Sequence, residues 1–195
     1  MNKYFIKKNI LIAVGLITFG IGGRMLLLNY PNIETLMVVA IISGAMLGPY
    51  LGFSVALFSV IGSDILIGNS EILIYTWTAW AIIGIVSTLA KQRKHKVAVW
   101  ADTLKFTGFG IAGTLFFYIL TNFGVWHLSG MYPHTFVGLI ESYVMAVPFL
   151  RNQLLGNMVI VPSVSLVFLT AWKYLPVFVH QTKTVSSKEA VSKFI

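Results

Sequence analysis

Between Asn9 and Trp172 the chain is a succession of apolar runs, each close to the length of a membrane crossing and separated by short polar breaks. A crossing helix needs about 20 mainly apolar residues, because the hydrocarbon core is about 30 Å thick. Inside lipid every backbone N–H and C=O must find its partner within the protein, and a run of this kind can do so only as a helix. Only 10% of the 195 residues are charged, whereas soluble domains carry about 25%. The expected fold is therefore all-α, a polytopic membrane protein with a six-transmembrane-helix bundle. The crossings fall at about 9–28, 33–48, 51–67, 72–90, 103–123 and 151–172. Together they make one integral membrane domain over 1–180, followed by a polar, mobile tail over 181–195.

The breaks set these boundaries. Tyr30-Pro31-Asn32 ends the first run, and Asn32 can cap the next helix. Residues 33–67 are too long for one crossing and carry a turn signal, Gly48-Pro49, in their middle. Ala40, Gly44, Gly48 and Gly52 recur every four residues, a spacing that lets helices approach closely, for internal packing or for docking a partner. The N-terminus has a basic start and an apolar run, like a signal peptide. Its run continues past a normal signal core and has no A-x-A site, so it reads as the first crossing.

Charge fixes the expected orientation. Lys3, Lys7 and Lys8 precede the first crossing, and Lys91-Gln92-Arg93-Lys94-His95-Lys96 follows the fourth. Basic loops stay in the cytoplasm, so both termini are expected inside the cell membrane. On this scheme every basic residue except Arg24 and Arg151 is cytoplasmic, while Glu34, Asp64, Glu71 and Glu141 lie outside. The segment 135–147 is short, contains Glu141 and is followed by Pro148. A seventh crossing there would put the tail lysines outside. It is expected instead as a short shallow helix on the outer face.

The net charge of +8 is accounted for by these span-end lysines and their contact with the lipid bilayer, and no nucleic-acid-binding pattern accompanies it. The chain has no Cys, which removes disulfides, thiolate metal sites and thiol catalysis. It has no phosphate loop, no G-x-S-x-G and no H-E-x-x-H. No enzyme, cofactor or metal is expected.

Polar groups gather on the outer side: Arg24, Asp64, Asn122, Trp126, His127, Tyr132, His134, Glu141, Arg151, Asn152 and Asn157. Polar groups at membrane depth point to function, and aromatic plates beside hydrogen-bonding side chains suit a flat polar organic ligand. Each residue also has a structural reading. Arg24 can snorkel to the interface, and Asp64 can sit at headgroup level or in a polar network. Trp126 and Tyr132 can anchor the interface, and His127 and His134 can be plain loop residues. Glu141 and Arg151 can form an ion pair, while Asn152 and Asn157 can bond between helices. Residues 122–134 read as a lid loop over this site.

Two stretches carry a resemblance. VVAIISGAMLGPYLGFSVALFSVIGSDILIG resembles the small-residue hairpin of substrate-binding S components of energy-coupling factor (ECF) transporters. TNFGVW and YPHTFVGLIESYVMAVPFLRNQLLGN resemble an uncharacterised family of proposed S components with an NFGVW, YP, PF-N-L-G run. The resemblance implies a six-helix bundle that takes a vitamin or similar micronutrient from outside. It also implies partners, an ECF T component and two ATPase subunits. The first helix departs from that pattern: Ala13 is followed four residues on by Ile17, so the A-x-x-x-A docking motif is missing. A stand-alone membrane transporter and a non-transporting scaffold or assembly protein are the alternatives.

Overall fold

Four breakers divide the chain in space as they do in sequence. Asn32 takes a left-handed backbone (φ 61°) between the first two helices, a conformation that Asn tolerates better than most residues. Gly48 (φ 93°) closes one helix with its N–H on the Gly44 carbonyl, and Pro49 starts the next at its first turn, where its missing N–H costs nothing. Gly68 (φ 79°) and Gly130 (φ 68°) end two more. The computed structural model describes residues 3–69, 71–90 and 99–192, with side chains described within those limits from Lys7 to Tyr174.

The elements are α1 (Lys3–Leu26), α2 (Leu36–Leu47), α3 (Pro49–Ile67), α4 (Leu73–Val86, continued by a 3₁₀ turn Ser87–Ala90), α5 (Val99–Leu128) and α6 (Phe136–Ser192). The described chain is all-helical. Five stretches are long and apolar enough to cross a membrane: Lys7–Leu26, Pro49–Ile67, Leu73–Ala90, Val99–Leu128 and Phe136–Tyr174. Helix α2 has 12 residues, about 18 Å at 1.5 Å per residue. The second expected crossing is thus too short to span alone. It is apolar on every side, and such helices are buried: Leu36 through Ala45 are all inaccessible. It touches every other helix and forms the hub of the bundle.

The small-residue stripe works inside this hub. Ala40 and Gly44 are buried on α2. A side chain on Gly44 or on Gly52 would collide with the carbonyl oxygen of Gly84 on α4, and one on Gly84 would collide with that of Gly52. Three backbones therefore meet directly where α2, α3 and α4 cross. Gly48 is the turn between α2 and α3, with open space around its Cα.

Three boundaries differ from expectation. Helix α5 runs on to Leu128, so Asn122, Trp126 and His127 are helical and the expected lid loop shrinks to the connection after it. The reason is local: NFGVWHL contains no breaker strong enough to stop a helix packed on a neighbour, and the first effective one is Ser129-Gly130. The expected shallow helix at 135–147 and the crossing at 151–172 are one continuous helix, α6. Pro148 removes one helical hydrogen bond but does not end the helix, because α5 holds the turns before it. Tyr118 Oη donates to the Tyr143 carbonyl at 2.6 Å, and Tyr143 Oη donates back to the Ile119 carbonyl at 3.0 Å. Finally, the backbone stays helical through 181–192, which includes most of the expected tail. The basic run Lys91 to Lys96 lies outside the described residues.

The charged groups separate to two ends. Arg24, Glu34 and Asp64 meet at one end. At the other, Lys8 Nζ lies 5.0 Å from the ring centre of Trp172. The Arg24 end is where α5 and α6 extend past the rest. Ile33 packs against Gly156, which leaves the first turns of α6 standing beyond the start of α2.

The glycine crossing gives a direct test. Gly84→Ala should lower thermal stability in detergent by about 1–3 kcal/mol through overpacking. Gly22→Ala, where a Cβ meets nothing within 4 Å, should be neutral or add up to about 1 kcal/mol from helix propensity. Equal melting temperatures for the two variants would refute the backbone contact.

Candidate functional site

The end of the bundle that holds Arg24 is organised by one carboxylate. Asp64 sits four residues before the Gly68 cap of α3, and its side chain is 1% exposed. A buried charge is tolerated only when paired and fully hydrogen-bonded. Arg24 Nη1 donates to Oδ1 at 2.7 Å, Trp77 Nε1 to Oδ2 at 2.8 Å, and Asn69 Nδ2 to Oδ1 at 3.4 Å. Arg24 also donates to Ser63 Oγ at 2.7 Å, and its Nε lies 3.2 Å from Glu34 Oε2. The network ties α1, α3, α4 and the connection before α2 together.

Glu34 lies in that connection, outside the long apolar helices. Burial pushes its carboxyl up from the ordinary value of 4.5. The Arg24 guanidinium opposes this, Asp64 adds to it, and a hydrogen bond with Gln153 on α6 opposes it further. Arg24 is thus flanked by two acids, and it offers the space beside it hydrogen-bond donors more than free positive charge.

That space is a cavity of about 570 Å³, within the usual range for small-molecule sites. Arg24 and Gln153 line it. Thr76 and Ile72 of α4, Tyr118, Thr121 and Asn122 of α5, and Ala146 and Phe149 of α6 wall it, and Asn32, Asn69 and Glu71 come from the connections. The walls from α5 and α6 exist because both helices run past the end of α2. Asn122 Nδ2 donates to the Tyr118 carbonyl at 2.8 Å, which orients the amide at the cavity wall. Chemically the cavity offers amide, hydroxyl and guanidinium groups beside the rings of Phe117, Tyr118 and Phe149.

The structure spreads the expected site residues over several places. Arg24 and Asn122 line the cavity, and Asp64 supports it through Arg24. Trp126, His127 and His134 form a separate aromatic cluster with Tyr75 and Phe123. Within it Tyr75 Oη and His127 Nδ1 share a hydrogen bond of 2.7 Å, and Trp126 Nε1 donates to the Pro133 carbonyl at 3.0 Å. The two His rings are 6.3 Å apart, and among the described residues no group of three or more His, Cys, Asp or Glu is placed to hold a metal ion. Tyr132 is half-buried in the connection after α5.

Glu141 and Arg151 are both exposed on α6. Ten helical residues separate them by about 15 Å along the axis, so they do not form the ion pair that was their structural alternative, and neither is in the cavity lining. Asn157 is buried and donates to Thr114 Oγ1 at 2.8 Å, a tie between α5 and α6. Asn152 is half-buried and is not part of the cavity lining.

Sequence reasoning missed Glu34, Trp77 and Gln153 as site residues. Gln153 had a readable signal: it shares the Asn157 face of the helix at i, i+4, while Asn152 is turned aside. Trp77 had none, since an aromatic at that depth reads as an interface anchor.

Two outcomes follow from these contacts. Asp64→Ala should cost about 3–5 kcal/mol, the range for breaking a buried pair, and Trp77→Phe about 1–2 kcal/mol, both read as loss of thermal stability. Equal small losses in the two variants would contradict the central place of Asp64. The raised Glu34 carboxyl favours the folded state most fully below pH 4.5, and that contribution is lost as pH rises through the folded value. Glu34→Gln should therefore remove a component of stability that falls with rising pH in the wild type. A melting-temperature series from acid to neutral pH, with parallel curves for both proteins, would disprove this.

The comparisons with known proteins bear on the whole chain. No curated protein and no solved structure matches it. Residues 5–178 match a family of unknown function, DUF6580. With nearly its full length matched, the chain belongs to DUF6580, a family of unknown function.

Proposed function

We propose that the protein is a substrate-binding membrane subunit for uptake of a vitamin or similar micronutrient, of the ECF S-component type. On this reading it lies in the cell membrane with both termini inside, and the Arg24 end faces out. It captures a small polar molecule there, and a T component with separate ATPase subunits energises its release. The observation that carries the reading is the polar-walled cavity of about 570 Å³ at the Arg24 end. The carboxylate network holds Arg24 and Gln153 in place, and Thr76, Thr121 and Asn122 bring further hydrogen-bonding groups to the same space, a convergence that suits a polar ligand. The lysines around Trp172 at the opposite end support the orientation. Use of Gly44, Gly52 and Gly84 for internal contacts weighs against the scaffold alternative, which needs that face for a partner.

The test is direct. The purified protein should carry a co-purifying small molecule detectable by native mass spectrometry, or show a thermal shift with one member of a vitamin and nucleobase panel. Asn122→Ala and Thr76→Val should each weaken that ligand by about 3- to 10-fold, the range for one lost hydrogen bond. Arg151→Ala, away from the cavity lining, should leave it unchanged. No ligand and no shift across the panel would overturn the reading.

A further inference from the structure

A second cavity has the opposite chemistry. It is a lateral groove of about 640 Å³ between α1 and α6, lined by Ile12, Gly15 and Phe19 on one side and Val164, Val167 and Phe168 on the other. The two helices do not pack on each other along it, and Ile42 of the buried α2 forms its floor. On α1 the lining repeats at three and four residues, and the same stripe continues one turn further to Lys8. On α6 it ends at Ala171, next to Trp172 and Lys173. Lys8 Nζ lies over the Trp172 ring at 5.0 Å, so the groove terminates in a cation contributed by α1, with Lys7 next to it in sequence. The acid on α5 at this end, Asp102, is next to Lys105.

We propose that this groove is a binding site for one anionic phospholipid, with an acyl chain between α1 and α6 and the phosphate at Lys8. The groove opens on a surface that carries exposed Phe19 and Val167 of its own lining, which is lipid-facing in a membrane. An apolar cleft there forfeits dispersion contacts unless hydrocarbon fills it. The space beside Gly15, where a Cβ would meet nothing within 4 Å, belongs to the chain. A docked protein helix fits less well, because close helix approach needs small residues and this lining is mostly Phe, Val and Ile. Lys8 at the groove's end supplies the headgroup preference, as basic residues at a membrane surface do for anionic lipids. This site is independent of the proposed uptake function.

The full chain reconstituted in bilayer nanodiscs of equal phosphatidylglycerol and phosphatidylcholine, then released for native mass spectrometry, tests this. One lipid per chain should be retained, with phosphatidylglycerol preferred by about fivefold, the preference one lysine gives. Gly15→Phe should abolish retention. Lys8→Gln should keep a bound lipid but lose the headgroup preference. If Gly15→Phe fails to fold, Val167→Trp blocks the same groove from its rim. Absence of a retained lipid, equal retention of the two lipids by the wild type, or retention unchanged by both groove-filling variants would overturn the site. A lipid-free dimer that Gly15→Phe disrupts would overturn it in favour of a second copy of this chain.

Discussion

A carboxylate that is almost entirely buried among apolar helices has to be satisfied by the protein itself, and Asp64 is satisfied from three directions. Arg24 comes from the end of α1, Trp77 from the start of α4, and Asn69 from the connection just after α3. Those contacts fix where three helices end relative to one another. They also hold Arg24 where it reaches Glu34, and Glu34 in turn meets Gln153 on α6. A polar chain of contacts thus crosses the bundle at one level. Removing any link leaves a neighbour buried without its partner, which is the expensive outcome in a low-dielectric interior.

The other end of the constraint is steric. Helix α2 is too short to cross a membrane and too apolar to face water, so it can exist only inside the others. It gets close enough because Gly44 faces Gly84 and Gly52 with no side chain between them. Contacts of backbone on backbone replace the hydrophobic drive that lipid does not supply. With α2 enclosed, α5 and α6 are free to be longer, and they pair with each other through Asn157 and Thr114 near the middle and through Tyr118 and Tyr143 nearer the tip. The cavity is the space left where these two long helices outrun the short one.

Its walls explain why it is polar while the groove between α1 and α6 is not. The cavity lies at the level of helix ends, where connections bring Asn32, Asn69 and Glu71 and where Arg24 is held by acids. The groove lies along helix flanks in the middle of the bundle, where the sequence supplies Ile, Val and Phe. The proposed solute site and the proposed lipid site follow from that difference of level.

Read alone, the residues determined that the chain is helical and apolar enough for a membrane, where most of its breaks fall, and that its polar groups cluster by position. Arg24, Asp64 and Asn122 were legible as site residues for that reason, since charge and amide groups in apolar helices stand out one at a time. The length of α5 past Asn122, the unbroken run of α6 through Pro148 and the burial of α2 were decided only by the tertiary structure. Local signals compete weakly there: a helix partner that accepts the Tyr118 and Tyr143 hydroxyls outweighs a proline, and no local pattern announces it. The same holds for Glu34, Trp77 and Gln153, which matter through what they touch. Which residues face one another across a bundle depends on the rotation and relative height of whole helices, and those are set by packing rather than by any stretch of sequence.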